Sequence, residues 1–191
     1  MTYVDRNTAL SQSFGPPGLA YADGFAVSSV IEQPLLSLKQ AGANAGISIK
    51  VISGYRSYDE QVGTFNYWVS QEMQTDPSLT RQQAEEKANT YSARPGHSEH
   101  QLGTAVDLNS LDTSFEGTPE QQWLAQHAEE YGFVLSYPKN DLAANGGYMH
   151  EPWHFRYVGR AIAQDLKSLD YQSQSNDWTL NKYLREKCGL S

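Results

Sequence analysis

The spacing of apolar positions predicts several amphipathic helices. Between about 29 and 43 the apolar residues recur every three or four positions, and Pro34 fits the first turn of that helix. Ser57, Thr80 and Thr118 mark the starts of three more helices, because each is followed three positions later by Glu or Gln, as in a capping box. The predicted helices cover about 29–43, 57–74, 80–90, 118–132, 158–169 and 177–187.

Short segments with strand-like patterns lie between these helices. The predicted strands are at about 47–52, 104–108, 133–136 and 153–157. Residues 1–27 show no sustained period, so we expect an irregular arm or a short edge strand there. Because helices and strands mix without a regular βαβ alternation, the sequence predicts an α+β fold, in a single domain covering 1–191.

The composition limits the classes of protein to which the chain can belong. With 191 residues, 39% of them hydrophobic, it can bury a core without the help of a metal. The net charge of −8 disfavours nucleic acid or an anionic membrane surface as the main partner. The single cysteine, Cys188, excludes an internal disulfide and a thiolate metal site. We expect no membrane span and no export signal in this chain, because no apolar run approaches twenty residues and the N-terminus is polar.

Two histidines and two acidic residues form a candidate metal centre. His100, Asp107 and His154 can hold Zn²⁺ as three ligands of a tetrahedron, which leaves the fourth position for water. Glu151 can then accept a proton from that water. These residue types predict a hydrolytic zinc site.

The spacing of the first two candidate ligands requires a bend in the chain. His100 and Asp107 lie seven positions apart, so on one straight strand they would face opposite sides. Gly103 supplies the place for a bend, which puts His100 on a loop and Asp107 on the following strand. The alternative is that the buried carboxylate of Asp107 pairs with Arg56 or Arg94.

A competing motif overlaps the centre, since residues 150–154 read His-Glu-Pro-Trp-His. In zincin proteases an H-E-x-x-H motif works on a helix, where both histidines face the same way. Pro152 would break that helix at a cost of about 3 kcal/mol. We therefore expect Glu151 and His154 to converge from a non-helical segment, with His150 as a neighbour of the site.

Other residues are predicted to have supporting positions. We expect His97 to form part of the pocket wall and His127 to lie in the core. The inward face of the second helix is predicted to carry Phe65, Trp68 and Val69.

A polar turn after the first predicted strand is the candidate substrate-binding segment. Arg56 lies where that strand ends and a helix begins, and its guanidinium could clamp a carboxylate or stabilise an oxyanion. The alternative is a surface salt bridge from Arg56 to Asp59 or Glu60. Ser98 and Gln61 could contact the same ligand.

Three blocks of residues occur in order along the chain. They are Ser53-Gly54-Tyr55-Arg56-Ser57 with Gln61, then residues 91–107, which include Ser98-Glu99-His100 and Gly103-Thr104-Ala105-Val106-Asp107, then residues 151–159, which begin Glu151-Pro152-Trp153-His154. Together they resemble the VanY-type zinc D,D- and L,D-carboxypeptidases, peptidoglycan metallopeptidases that share a fold with the Hedgehog signalling domain. The three blocks span most of a motif-bearing core at 50–160.

The resemblance implies a fold and a set of roles. The fold would be a small, mostly antiparallel sheet flanked by helices. His100, Asp107 and His154 would be the zinc ligands and Glu151 the catalytic base. Arg56, Ser98 and Gln61 would contact the substrate, with Arg56 also contributing to catalysis.

The implied activity is removal of the C-terminal D-alanine from a peptidoglycan stem peptide or precursor, in the cell envelope outside the cytoplasmic membrane, by a monomer. One alternative is an L,D-carboxypeptidase acting on tetrapeptide stems. Another is a lysin-like endopeptidase that cuts inside the stem peptide. A third, from a different class, is a non-catalytic zinc-binding module like the Hedgehog domain.

Overall fold

A four-stranded antiparallel sheet carries the candidate metal centre. The computed structural model describes residues 2–139, 141–142, 147–173 and 176–190. The strands of this sheet are β3 (Val51–Ser53), β4 (Ala105–Leu108), β5 (Phe133–Leu135) and β6 (His154–Tyr157). Their order is β3-β4-β6-β5, so β4 and β6 occupy the centre. Every residue of β4 is buried, including the charged Asp107.

The first strand of the sheet is shorter than the predicted segment at 47–52, because only residues from Val51 onward pair with β4. Asn109 takes over the hydrogen bonds of the preceding residues. Its side-chain oxygen accepts the Lys50 backbone N–H at 2.7 Å, and its amide donates to the Ser48 carbonyl at 2.7 Å. The backbone N–H of Asn109 also donates to the Lys50 carbonyl at 2.9 Å, so both its backbone and its side chain hold the segment before β3.

Part of the predicted N-terminal arm is an ordered hairpin. Strands β1 (Leu19–Ala22) and β2 (Phe25–Ser28) pair antiparallel as a separate two-stranded sheet. The turn between them consists of Asp23 and Gly24, both with positive φ. Asp-Gly is a strong signal for this two-residue hairpin turn. Within the predicted arm, residues 19–22 and 25–27 therefore agree with the short-strand alternative and not with an irregular segment.

Six α-helices have both ends within the part of the chain that the structure describes. They are α1 (Glu32–Asn44), α2 (Tyr58–Thr75), α3 (Arg81–Ala88), α4 (Pro119–His127), α5 (Arg160–Ser168) and α6 (Leu180–Glu186). Both capping boxes, at Ser57 and at Thr80, form as predicted, and the Thr118 side chain caps α4. None of the helices in the described part of the chain is long and apolar enough to cross a membrane.

The inward face of α2 differs from the prediction at one position. Gln61, Phe65 and Val69 lie at intervals of four and are buried. Trp68 is 38% exposed and packs edge-on against Tyr91, with ring centroids 5.5 Å apart. It is one position away from the buried row, so its side chain reaches the flank of the helix instead of the core.

The placement of His127 in the core was also wrong. It lies at the end of α4 with its ring against Trp123, 4.8 Å between centroids. Its Nδ1 is 2.9 Å from a carboxylate oxygen of Glu130, and both side chains are substantially exposed. His127 does lie on the same face of α4 as Trp123, as the spacing predicted, but the two rings stack at the surface and not in the core.

Asp5 fastens the N-terminal segment to the rest of the fold. This carboxylate is only 7% exposed and accepts hydrogen bonds from the backbone N–H groups of Asn7 and Thr8 at 2.8 and 2.7 Å. The hydroxyl of Tyr3 donates to it at 2.5 Å, and Arg185 of α6 lies 3.1 Å away. Burial alone raises the pKa of Asp5, but these bonds and the charge of Arg185 lower it overall.

We expect Asp5→Asn to lower the free energy of unfolding by about 2 kcal/mol at neutral pH, because a buried, multiply bonded charge loses its match with Arg185. Since the pKa of Asp5 is depressed in the folded chain, its contribution is present above the ordinary value and is lost as the pH falls through the folded value. Urea unfolding at pH 7 and below pH 3.8 measures both effects. If Asp5→Asn lowered the free energy of unfolding as much in acid as at pH 7, this role of Asp5 would be contradicted.

Candidate active site

Asp107 and His154 face each other across the two central strands. The register of β4 and β6 pairs these residues directly, so their side chains leave the sheet on the same side. Asp107 Oδ1 lies 3.1 Å from His154 Nδ1, and both side chains are buried. A central sheet position therefore fixes two of the three predicted ligands.

His100 reaches the same point from a tight turn. It lies in a 3₁₀ turn at Glu99–Leu102, which begins at Ser98 and ends at Gly103 with φ 70°. A side chain at Gly103 would be strained by this φ, and its Cβ would lie 3.1 Å from the Ser28 backbone nitrogen. The predicted bend is confirmed, and it places His100 Nε2 3.3 Å from Asp107 Oδ2.

The three residues fit a zinc ion. One ligand atom from each of His100, Asp107 and His154 lies within 4.8 Å of the others, and all three residues are buried. Tetrahedral zinc with bonds of about 2.1 Å holds neighbouring ligand atoms roughly 3.4 Å apart. The contacts of 3.1 and 3.3 Å between Asp107 and the two imidazoles are of that size.

Each imidazole has its second nitrogen against an acceptor. His100 Nδ1 lies 2.7 Å from the carbonyl oxygen of Gly54, which leaves Nε2 towards Asp107. Gly54 is required here because a Cβ would come within 2.3 Å of the Ala26 carbonyl oxygen. His154 has the opposite arrangement, with Nε2 3.1 Å from Glu99 Oε2 and Nδ1 towards Asp107.

The buried charges of the cluster compensate one another. Burial raises the pKa of Asp107, but His100 and His154 lower it far below its ordinary value. Burial lowers the pKa of His100. For His154 burial also lowers the pKa, but its bonds to Asp107 and Glu99 raise it to about 10.

Glu151 lies beside the three residues on a non-helical segment. Its Oε2 is 3.6 Å from His154 Nδ1, and its backbone N–H donates to the Tyr137 carbonyl at 3.2 Å. Pro152 lies in a turn between Glu151 and β6, so the helical H-E-x-x-H reading was rightly rejected. Burial is the main cause that raises the pKa of Glu151, to about 8.

Arg56 lies in the cleft that opens beside this cluster. Its guanidinium donates to Gln61 Oε1 at 2.7 Å and to Ser53 Oγ at 3.4 Å. Among the described residues no carboxylate lies within ion-pair distance of it, and Glu60 caps the start of α2 instead. The alternative pairing of Arg56 with Asp59 or Glu60 was therefore wrong.

The alternative partners of Asp107 are excluded in the same way. Arg94 pairs with Glu85 and Glu86 on α3, at 3.2 and 2.9 Å. Arg56 interacts with Asp107 through the field of its charge and makes no direct ion pair with it.

The cleft that contains the cluster has a volume of about 600 Å³. Its lining includes Arg56, Gln61, Ser98, Glu151 and the three candidate ligands, together with Trp68, Tyr91, Leu111, Tyr137, Met149, His150 and Trp153. His150 is thus a neighbour of the site as predicted. His97 is not part of this wall, because its ring is directed to the Asp5 carbonyl, 2.7 Å away.

Sequence reasoning missed two charged residues next to the cluster. Glu99 is 2% exposed and Arg156 is 1% exposed, and they form an ion pair at 2.8 Å. Burial raises the pKa of Glu99, but the charge of Arg156 and the bond to His154 lower it to about 2. An Arg between aromatic residues in a predicted strand was a signal that a partner is present, since a buried charge needs one.

A buried His-Asp-His cluster with a carboxylate beside it, at the base of a cleft, has the composition of the active site of a zinc hydrolase. The family model for VanY, D-alanyl-D-alanine carboxypeptidase, matches residues 25–160. The chain therefore belongs to the VanY family, which confirms the predicted family. The α+β class with an antiparallel sheet is confirmed as well.

Two curated relatives illustrate the similarity. The putative carboxypeptidase YodJ of Bacillus subtilis is 32% identical over 204 residues, which cover 97% of this chain and 67% of YodJ. A D-alanyl-D-alanine carboxypeptidase of Enterococcus faecalis is 35% identical over 145 residues, 76% of this chain. The match spans about half of that relative, 53% of its length.

Solved structures agree with these relatives. VanYB in complex with D-alanine-D-alanine superposes with a TM-score of 0.81 at 29% identity, and 96% of each chain is covered. A mutant of the vancomycin-resistance D,D-pentapeptidase VanY in complex with Zn(II) gives a TM-score of 0.77 at 30% identity, covering 95% of this chain and 96% of that one. The LD-carboxypeptidase LdcB gives 0.75 at 29% identity, covering 96% of this chain and 84% of LdcB.

Proposed function

We propose that this protein is a zinc-dependent carboxypeptidase that removes the C-terminal D-alanine from peptidoglycan stem peptides ending in D-alanyl-D-alanine. His100, Asp107 and His154 hold the zinc ion, Glu151 transfers protons, and Arg56, Ser98 and Gln61 bind the end of the substrate. The similarity to D-alanyl-D-alanine carboxypeptidases and to a structure with bound D-alanine-D-alanine supports this substrate class.

The environment of the Arg56 side chain is the observation that supports a carboxypeptidase. Its guanidinium is largely buried at the cleft, it has two neutral partners, and its remaining N–H groups have no carboxylate partner among the described residues. A buried guanidinium without an anion is costly, and a free C-terminal carboxylate is a matching bidentate ligand. An endopeptidase substrate carries no such charge next to the scissile bond.

The protein groups act in sequence around the scissile bond. When bound, zinc polarises the scissile carbonyl and lowers the pKa of water. Glu151 accepts a proton from the attacking water and donates it to the nitrogen of the leaving D-alanine. Its raised pKa, caused mainly by burial, suits a group that must both take and give a proton near neutral pH.

Gln61 and Ser98 keep the binding end of the cleft in place. Gln61 accepts from Arg56 and donates to the Ala93 carbonyl at 2.7 Å, so it anchors the guanidinium to the opposite wall. The Ser98 oxygen accepts the His100 backbone N–H at 3.3 Å, so its hydroxyl hydrogen can be donated to a substrate carboxylate or oxyanion. These contacts orient the substrate before the reaction.

We further propose that the protein acts outside the cytoplasmic membrane and as a monomer. Stem peptides ending in D-alanyl-D-alanine lie in the cell envelope, and relatives of this chain are peptidoglycan enzymes. An L,D-carboxypeptidase acting on tetrapeptide stems is the second candidate, because LdcB is about as similar in structure as the VanY proteins.

Mass analysis of the amino acid released from penta- and tetrapeptide stems separates these functions. We expect the zinc-loaded protein to release free D-alanine from the pentapeptide. Release from the tetrapeptide alone would favour the L,D-carboxypeptidase. Cleavage inside the stem would indicate an endopeptidase, and inactivity on every stem peptide would indicate a non-catalytic zinc-binding module.

Arg56→Met should lower kcat/KM for a pentapeptide by about 10²–10³-fold, because charge-assisted hydrogen bonds to the substrate carboxylate are lost. A substrate with an amidated C-terminus should show a loss of the same order with the unmodified enzyme and little further loss with the variant. Arg94→Met is the matched control, since Arg94 pairs with two glutamates of α3. Equal hydrolysis of the acid and the amide would refute the role of Arg56.

A further inference from the structure

The His154 ring lies between two carboxylates, one on each of its nitrogens. Nδ1 is 3.1 Å from Asp107 Oδ1, and Nε2 is 3.1 Å from Glu99 Oε2. An ionised carboxylate can only accept a hydrogen bond. The contact with Glu99 therefore requires the hydrogen of a neutral ring to be on Nε2, which leaves the lone pair on Nδ1, the nitrogen that faces Asp107 and Glu151.

Arg156 holds the Glu99 carboxylate through a buried ion pair. Its guanidinium donates to Glu99 Oε1 at 2.8 Å and to the Thr2 carbonyl at 2.7 Å. Without this cation, the carboxylate of Glu99 would lack its ion-pair partner in an almost fully buried place.

The same ion pair connects the two segments that carry the histidines. Glu99 directly precedes His100 in its 3₁₀ turn, and Arg156 follows His154 by two positions on β6, on the same side of that strand. One buried contact thus fixes the turn relative to the strand as well as the orientation of the ring.

We propose that Glu99, held by Arg156, is a positioning residue that orients His154 and keeps its Nδ1 available to the metal. This rests on the ligand set of the proposed function and adds to it a pair of residues that do not touch the metal. An outer carboxylate of this kind raises the basicity of a ligating imidazole and commonly changes metal affinity by 10–100-fold.

The pair could instead serve only to stabilise the fold, and a matched control separates the two roles. Glu129 is another carboxylate that is 1% exposed, bonded to Gln172 at 2.9 Å and facing Lys167 at 3.7 Å, away from the cleft. Glu129→Gln removes a buried charge without altering the surroundings of His154.

The experiment measures zinc affinity by competition with a chromogenic chelator, together with the visible spectrum of the Co²⁺-substituted protein. We expect Glu99→Gln to weaken zinc binding by 10–100-fold and to alter the Co²⁺ spectrum, whereas Glu129→Gln leaves both unchanged even if it lowers the melting temperature. If Glu99→Gln does not fold because Arg156 is left unpaired, the double variant Glu99→Gln/Arg156→Met, which contains neither charge, gives the same readouts.

Zinc affinity within twofold of the parent protein, in either of these Glu99 variants, would overturn the proposal. His154→Ala distinguishes this failure from a failure of the proposed function. If that variant binds zinc as tightly as the parent protein, the ligand set itself is wrong, and the positioning role falls with it.

Discussion

Replacing Glu151 with glutamine should lower kcat by about 10²–10⁴-fold while zinc remains bound at one ion per chain. Glutamine keeps the size of the side chain but cannot accept a proton from water or return one to the leaving amine. Glu151 lies beside the candidate ligands, with its Oε2 3.6 Å from His154 Nδ1, and is not required as one of the three. Steady-state hydrolysis and metal analysis of the same preparation test both parts.

Glu72→Gln is a suitable control for this measurement. Glu72 lines the same cleft, but its carboxylate is bonded to Lys87 and Tyr91, both at 2.6 Å. We expect the kcat of the Glu72→Gln variant to remain within a few-fold of that of the parent protein. Near-normal turnover by Glu151→Gln would remove this residue from the mechanism, and loss of zinc in that variant would make it a ligand.

The second large effect is expected for Asp107→Ala. Asp107 is the residue that contacts both imidazoles, so its removal should abolish stoichiometric zinc binding and reduce activity by at least about 10³-fold. The metal-free variant should also unfold more easily, by about 3–5 kcal/mol, because His154 loses a buried charged partner. Metal analysis and urea unfolding of the apoprotein measure the two consequences.

Asp112→Asn serves as the control for Asp107→Ala. Asp112 caps a 3₁₀ turn at Thr113–Phe115 and is exposed. The Asp112→Asn variant should bind zinc and hydrolyse the substrate as the parent protein does. If Asp107→Ala still bound zinc at one ion per chain, the His-Asp-His ligand set would have to be abandoned.

The residues of the candidate centre could be predicted from sequence because local chemistry constrained each of them. Gly103 indicated a bend between His100 and Asp107, and Pro152 excluded a helix around Glu151. Both conclusions depend only on backbone preferences at one position, and the structure confirms both.

The surroundings of the centre could not be predicted in the same way. Glu99 and Arg156 are 57 positions apart, and their contact depends on how the 3₁₀ turn packs on β6. The shortened β3 depends likewise on Asn109, which lies in another part of the chain. Such pairings follow from tertiary packing, so the amino-acid pattern of one segment does not identify the partner residue.

Two expectations gave too little weight to patterns that were present in the sequence. The Asp23-Gly24 turn signalled a hairpin directly, and the absence of a longer period around it was given too much weight. Trp68 was assigned to the core for its hydrophobicity, although only every fourth position of α2 faces inward. At the cleft edge its large apolar ring is available to the substrate instead.

In the proposed ligand set, zinc binding depends on the direct pairing of Asp107 with His154, and therefore on the alignment of β4 with β6. A slip of β4 by one residue would turn Asp107 to the other side of the sheet and bring an apolar neighbour opposite His154. With the proposed ligand set, a chain with that slip could not bind the ion through both residues. Zinc present during folding would then stabilise only the correctly aligned sheet, and so would also favour the conformation that carries the proposed activity.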